Sequence, residues 1–188
     1  IFESKKPVIG AINGPAVGVG VTMTLPMDIR LCSDTAKFGF VFARRGIITE
    51  ACSSWFLPRV VGISRATEWV FTGRMILADE AKESGLVRNI FESGELLAAA
   101  RTLAREIAED TAPVSVALSR QMMWRMLGAS HPMEAHRAES RGILQRGKSP
   151  DAREGVTSFL EKRAANFTMK VSTDTPNLFP EWQDPEFR

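Results

Sequence analysis

The sequence predicts an α/β protein in which short strands and turns come first and long helices follow. Two observations predict this order. Apolar, β-branched runs bounded by glycine and proline fill residues 1–92. From residue 93 onward, apolar residues recur at helical spacing, and each of the last three predicted helices has proline in its first turn.

Four short segments of the first part predict β-strands, because each is apolar and rich in β-branched or aromatic residues. They are PVIGAIN (7–13), DIRLCS (28–33), AKFGF (36–40) and LVRNIF (86–91). A glycine-spaced turn, GPAVGVG, follows the first strand and leads into a short helix that Pro26 ends. Residues 41–49 have no period and predict a loop.

The predicted helices begin and end at typical capping residues. Ser64 is expected to cap a helix that Gly73 ends, and Gly85 ends the short helix DEAKES. Ser93 is expected to cap a long helix whose apolar face comprises Leu96, Leu97, Ala100, Leu103, Ala104 and Ile107. The remaining helices are PVSVALSRQMMWRML, PMEAHRAESRGILQR and, capped by Ser149, PDAREGVTSFLEKR.

Composition limits the classes of function. The chain has 24 basic and 22 acidic residues, and a net charge of +2 is too small to indicate nucleic acid or an anionic membrane as partner. Cys32 and Cys52 form neither a metal-ligand cluster nor a disulfide framework, which favours reduced thiols in a cytoplasmic protein. No apolar run reaches transmembrane length. The chain begins IFESKKP without an initiator methionine, so we expect a further N-terminal part.

Glu50 is the carboxylate within the otherwise neutral run GIITEACSSW, residues 46–55. An ionised group without a charge partner is costly to bury, so something must compensate for it. One interpretation is a solvated acid in the first turn of a helix, where the helix dipole favours negative charge. The other is an acid among Ile47, Ile48, Trp55 and Phe56 that moves protons.

The glycine turn GPAVGVG also has two interpretations. It lacks the Gly-Lys-Ser/Thr sequence of a phosphate loop. A glycine turn before a helix can expose backbone N–H groups that hold an oxyanion. The alternative is tight packing between the strand and the helix.

Several separate motifs resemble the crotonase (enoyl-CoA hydratase/isomerase) family. They are KPVIGAINGPAVGVGVTMTLPMDIRLCSDTAKFGF, ARRGIITEACSSWFLPRVVG, FTGRMILADEAKESGLV and, similar to the C-terminal helix of that family, SPDAREGVTSFLEKRAANF. The resemblance extends from Lys6 to about Phe167. It implies a crotonase-like ββα spiral followed by C-terminal trimerising helices, in a homotrimer or a dimer of trimers. The expected division is the C-terminal part of the spiral core in 1–92, the helical trimerisation region in 93–167, and an irregular tail in 168–188.

The resemblance also implies site residues. The family stabilises a thioester enolate with two backbone N–H groups, one of which falls at Val19, flanked by Gly18 and Gly20. The other donor and much of the CoA-binding loop are expected in the N-terminal part. Phe159 and Lys162 match positions that help to hold the CoA adenine and phosphates, although a core Phe and a solvated Lys are equally compatible with the helix. The resemblance implies an acyl-CoA thioester as substrate, with no metal and no cofactor besides the coenzyme A that the substrate carries.

Two departures from the family pattern change the implied reaction. The hydratases of this family use two glutamates, which fall here at Thr22 and Phe42. A phenyl ring cannot transfer protons, and a threonine hydroxyl does not ionise near neutral pH. Glu50, in contrast, resembles the single glutamate of members that convert 3-enoyl-CoA to 2-enoyl-CoA. The resemblance therefore implies an isomerase with Glu50 as proton shuttle, with a hydratase or a non-catalytic acyl-CoA-binding scaffold as alternatives.

Overall fold

The computed structural model describes residues 1–183, 185 and 186. The chain divides into two compact units, Ile1–Arg105 and Glu106–Arg188. The predicted tail is irregular over its described residues, and Asp184, Phe187 and Arg188 lie outside them. Within the described residues, no helix has both the length and the apolar character needed to cross a bilayer.

Two three-stranded sheets form the first unit. In one sheet β1 (Ile9–Ile12), β3 (Ile29–Ser33) and β6 (Asn89–Phe91) run parallel, with β3 in the middle. In the other, β2 (Pro15–Val17) pairs in parallel with β4 (Lys37–Gly39), and β5 (Met75–Leu77) pairs antiparallel to β4. Strands β1 to β4 thus alternate between the two sheets, β5 stays in the sheet of β4, and β6 returns to the first sheet.

The helices of the first unit are mostly short. They are α1 (Val19–Thr22), α2 (Ser53–Val61), α3 (Ile63–Thr72), α4 (Ala78–Glu83) and the beginning of α5 (Leu96–Asp110), with a 3₁₀ turn at Ala43–Arg45. Gly73 ends α3 in the left-handed conformation, as predicted. The prediction that Ser64 caps α3 is wrong, because α3 begins at Ile63, behind Gly62, and Ser64 is its second residue. Ser93 is no cap either, because its hydroxyl hydrogen-bonds Thr35 and Asp34.

The structure contains strands that the sequence pattern does not reveal. Residues 15–17, predicted to be part of a turn, form β2, and residues 75–77 form β5. Both are three residues long and depend on pairing with β4. A run of three residues is too short to show the alternation that is typical of a strand, so these strands result from tertiary pairing rather than local preference.

The apolar core of the first unit forms where α5 covers the parallel sheet. Leu31, Leu96 and Ala100 are buried together, and Ile9, Ile29 and Phe91 pack against them. The predicted apolar face of α5 is wider than the buried one, because Leu97 is exposed.

Arg30 lies on β3 with its guanidinium buried. Its Nε donates to the Leu86 carbonyl at 2.6 Å, and its Nη1 contacts three carbonyl oxygens of the turn after α1: Met27 at 2.5 Å, Leu25 at 3.1 Å and Thr24 at 3.4 Å. Burial lowers the pKa of Arg30, and the charge of Asp28 opposes this effect. The side chain remains a cation, and it joins β3 to the exit of α1 and to the segment before β6.

Glu80, in α4, accepts hydrogen bonds from two side chains of the first unit. The guanidinium of Arg74 contacts both of its carboxylate oxygens, at 2.5 and 2.7 Å, and the indole N–H of Trp69 donates to one of them at 3.0 Å. Trp69 is completely buried, so its N–H needs this acceptor. The hydrogen bonds from Arg74 are the main reason that the pKa of Glu80 is lowered.

The second unit contains α6 (Pro113–Met126), α7 (Pro132–Arg146) and α8 (Pro150–Glu161), all close to their predicted bounds. Ser149 caps α8 as predicted, because its hydroxyl accepts the N–H of Ala152 at 3.1 Å. The irregular tail contributes to this unit, since Leu178 is buried with Val114 and Leu118. Several apolar side chains on α7 and α8 are exposed, among them Ile143, Leu144, Val156, Phe159 and Leu160. The trimeric assembly stays a prediction.

Replacing Arg30 with methionine should lower the free energy of unfolding by about 2–4 kcal/mol, because the side chain keeps its bulk but leaves buried carbonyls without donors. Urea-induced unfolding measures this loss. Arg101→Met is the matched control, since Arg101 is exposed on α5 and should change stability by less than about 0.5 kcal/mol. Equal losses in the two variants would contradict a structural role for the buried guanidinium.

Glu80→Gln should destabilise the protein more at neutral than at acidic pH. Because the pKa of Glu80 is lower in the folded than in the unfolded state, its stabilisation is present above the ordinary carboxyl range. It is lost as pH falls through the folded pKa. We expect a difference of about 1 kcal/mol at pH 7, which shrinks toward pH 3. Thermal unfolding across this range tests it, and a loss of stability that does not change with pH would contradict the role of the Arg74 hydrogen bonds.

Candidate active site

A glycine turn joins β2 to α1. Gly18 has φ 58° and ψ −126°, a combination that is open to glycine but not to residues with a Cβ. Its N–H donates to the Gly39 carbonyl of β4 at 2.9 Å, which fixes the turn to the second sheet. Its carbonyl accepts the N–H groups of Val21 and Thr22, both at 3.1 Å, so that α1 begins at Val19.

Val19 is the first residue of α1, and its side chain is 62% exposed. The N–H groups in the first turn of a helix have no acceptor within that helix. The N–H groups of Val19 and Gly20 therefore need acceptors from outside the helix, which is compatible with the oxyanion interpretation. Whether Val19 donates to a substrate stays a prediction.

Glu50 lies in the loop before α2 and is exposed. The next two residues, Ala51 and Cys52, have φ values of 50° and 56°, which are strained for residues with a Cβ. The N–H of Ser53 donates to the Glu50 carbonyl at 2.9 Å and closes the turn. Cys52 occupies the position before the first residue of α2, so the interpretation of Glu50 as a first-turn residue is wrong.

The expected burial of Glu50 among apolar neighbours is also wrong. Ile47 and Ile48 are exposed, Ile48 by 87%, because residues 47–50 have neither helical nor strand structure and lie at the surface.

Thr22 joins α1 to Glu50. Its hydroxyl donates to Glu50 Oε1 at 2.5 Å, and the Thr22 side chain is completely buried. The same hydroxyl lies 3.4 Å from the Val19 carbonyl, so the Glu50 carboxylate contacts the short helix that begins at Val19. This contact links residues 28 apart, and no local sequence pattern predicts it: by sequence, Thr22 only stands where a hydratase has an acid.

Phe42 packs in the core and is 5% exposed. Its ring fills the place at which the resemblance expects the second acid of a hydratase. The described residues hold no group of three or more His, Cys, Asp or Glu side chains that could bind a metal ion. Cys32 and Cys52 are free thiols, and burial raises the pKa of Cys32 to about 11, so that this thiol is protonated at neutral pH.

Phe159 and Lys162 lie at the end of α8 in the second unit. Phe159 is 80% exposed, so its interpretation as a core residue is wrong. Lys162 is exposed and follows α8 in the left-handed conformation, with its N–H donating to the Phe159 carbonyl at 3.3 Å. The two side chains are accessible to a ligand, and their role in binding CoA stays a prediction.

Comparison with known proteins identifies relatives of this chain. It is 44% identical over 172 residues to the protein named enoyl-CoA hydratase ACTT3 of Alternaria alternata, and the match covers 89% of this chain and 56% of the relative. It is 36% identical to 1,2-epoxyphenylacetyl-CoA isomerase of Escherichia coli, over 88% of this chain and 62% of that protein. The chain thus spans slightly more than half of the length of these curated relatives.

Solved structures give the same result. The crystal structure of a probable enoyl-CoA hydratase/isomerase from Mycobacterium abscessus superposes with a TM-score of 0.86 at 35% identity, over 90% of this chain and 66% of that chain. This likeness confirms the α/β, crotonase-like fold. The model of the enoyl-CoA hydratase/isomerase family matches residues 1–170, and the chain therefore belongs to that family.

Proposed function

We propose that this protein shifts the double bond of an enoyl-CoA from the 3,4 to the 2,3 position, with Glu50 as the proton carrier. The observation that supports this reaction best is the place of Glu50. Its carboxylate accepts a hydrogen bond from Thr22 in α1, the four-residue helix whose first N–H is that of Val19. A base and an oxyanion donor beside one another are the two groups that the reaction needs.

The reaction balances with one acid–base group. The Glu50 carboxylate removes a proton from C2, which the thioester carbonyl acidifies, and the electrons spread into a dienolate. The Val19 N–H donates to the enolate oxygen and stabilises its charge. The protonated Glu50 then returns the proton at C4, so the double bond moves while water and redox equivalents are neither added nor lost.

The surroundings of Glu50 suit an apolar acyl group. Val19 lies in α1 together with Thr22, and Met23 is the C-cap residue of that helix. Ile47 and Ile48 precede Glu50 in the loop. All four side chains are exposed. Exposed apolar side chains beside a polar group are typical of a surface that binds an apolar ligand.

Water addition is the second candidate, and the fungal relatives named enoyl-CoA hydratase favour it. The threonine and the phenylalanine at positions 22 and 42 argue against the two-glutamate mechanism. Hydration of crotonyl-CoA, measured beside isomerisation of a 3-enoyl-CoA, separates the candidates. A robust rate of hydration would favour the hydratase, and no turnover of either substrate would favour an acyl-CoA-binding scaffold.

Glu50→Gln should lower kcat for isomerisation of 3-hexenoyl-CoA by about 10²–10⁴-fold, because glutamine cannot accept a proton. KM should stay within a few-fold, since the amide keeps the shape of the side chain. The measurement uses the protein as its gene encodes it and follows the absorbance of the conjugated product. Glu95→Gln is the control, because Glu95 is exposed and takes part in no proposed contact. Full activity of the Glu50 variant would refute its role.

Gly18→Ala should lower both stability, by about 1–3 kcal/mol, and turnover, because a Cβ strains the turn that presents the Val19 N–H. Gly20→Ala is the matched control, since Gly20 has ordinary helical geometry and an added Cβ meets no atom within 4 Å. The control should lose less than about 0.5 kcal/mol. Chemical unfolding tests both variants and steady-state kinetics tests the Gly18 variant, and equal losses of stability in the two would contradict the importance of the Gly18 conformation.

A further inference from the structure

Glu50 has one hydrogen-bonding partner for its side chain. Over residues 1–183, 185 and 186, that partner is the Thr22 hydroxyl, at 2.5 Å from Oε1. No lysine or arginine in these residues lies within ion-pair distance of Glu50. The second oxygen, Oε2, makes no hydrogen bond to the described residues. The carboxylate is therefore held at one oxygen and open at the other.

The Thr22 hydroxyl itself is rigidly placed. The side chain is completely buried, and threonine has few rotamers in a helix because it branches at Cβ. The hydroxyl has a single proton and three acceptors within reach: Glu50 Oε1 at 2.5 Å, the Gly18 carbonyl at 3.3 Å and the Val19 carbonyl at 3.4 Å. The carboxylate is by far the nearest. A threonine hydroxyl in a helix commonly donates its hydrogen bond to a backbone carbonyl of the preceding turn, whereas here it donates to Glu50.

From these contacts we infer that Thr22 is a positioning residue, whose hydroxyl holds Oε1 of Glu50 so that Oε2 faces the substrate. Glu50 needs such a partner because its loop is exposed and two strained residues follow it. An unrestrained glutamate side chain samples many rotamers, and proton transfer requires a narrow range of distances and angles. This inference rests on the proposed function of Glu50.

Thr22→Val tests the inference, because valine matches the shape of threonine and lacks the hydroxyl. With 3-hexenoyl-CoA as the probe, we expect kcat to fall about 10- to 100-fold and KM to change less than about threefold. Thr22→Ser, which restores the donor, should recover most of kcat. Thr24→Val is the matched control: Thr24 is also buried near α1, but its hydroxyl donates to the Val21 carbonyl and makes no contact with Glu50. Its kcat should stay within about twofold of the unaltered protein.

A double-mutant cycle separates positioning from a general loss of structure. In a Glu50→Asp background the shorter side chain cannot make the same hydrogen bond, so Thr22→Val should cause little further loss of kcat. Independent, multiplying losses would overturn the inference, as would equal kcat in the Thr22→Val and Thr24→Val variants. If Thr22→Val does not fold, Thr22→Ser and Thr22→Ala provide the same comparison with and without the donor. Full activity of Glu50→Gln would instead refute the proposed function, which distinguishes that failure from a failure at Thr22.

Discussion

The buried guanidinium of Arg30 is the interaction on which the geometry of the site depends. Its donors contact the carbonyls of Thr24, Leu25 and Met27, which follow α1, and the carbonyl of Leu86, far away in the chain. A helix of four residues has almost no stability of its own. Because Arg30 fixes the chain that leaves α1, it limits where the helix can lie. The positions of Val19 and Thr22 follow from that limit.

The other end of α1 is fixed by backbone geometry. The hydrogen bond from Gly18 to Gly39 holds the turn on β4, and the unusual dihedral angles of Gly18 direct the chain into the helix. On the opposite side, Ala51 and Cys52 hold strained conformations that cost about 1–3 kcal/mol each. Such strain persists when the surrounding structure holds the backbone in that conformation, and here α2 begins directly after the strained residues. The first unit thus uses part of its folding free energy to place Glu50 beside α1.

The local sequence pattern predicts the long helices and draws attention to Glu50. It does not predict the contacts between residues that lie far apart in the chain. The second unit was predictable because α6, α7 and α8 have helical periods and proline or serine at their beginnings. The short strands β2 and β5 were not, since pairing with β4 determines them. Its neutral neighbours draw attention to Glu50, and its role in proton transfer, which the family resemblance implies, stays a prediction. The contact of Glu50 with Thr22 was not predictable, because no local pattern relates a helix hydroxyl to a loop 28 residues away.

If Glu50 is the proton carrier that we propose, its environment and that of Glu80 separate a reactive acid from a structural one. Glu80 is held at both oxygens by the Arg74 cation, which lowers its pKa and keeps it ionised. A carboxylate in that state is a poor proton acceptor, and neither oxygen is available. Oε1 of Glu50 accepts a hydrogen bond from a neutral hydroxyl, which orients the carboxylate without an ion pair to any residue that the structure describes. In the proposed reaction, a group that both takes and returns a proton needs that combination, because a cation would oppose the first proton transfer.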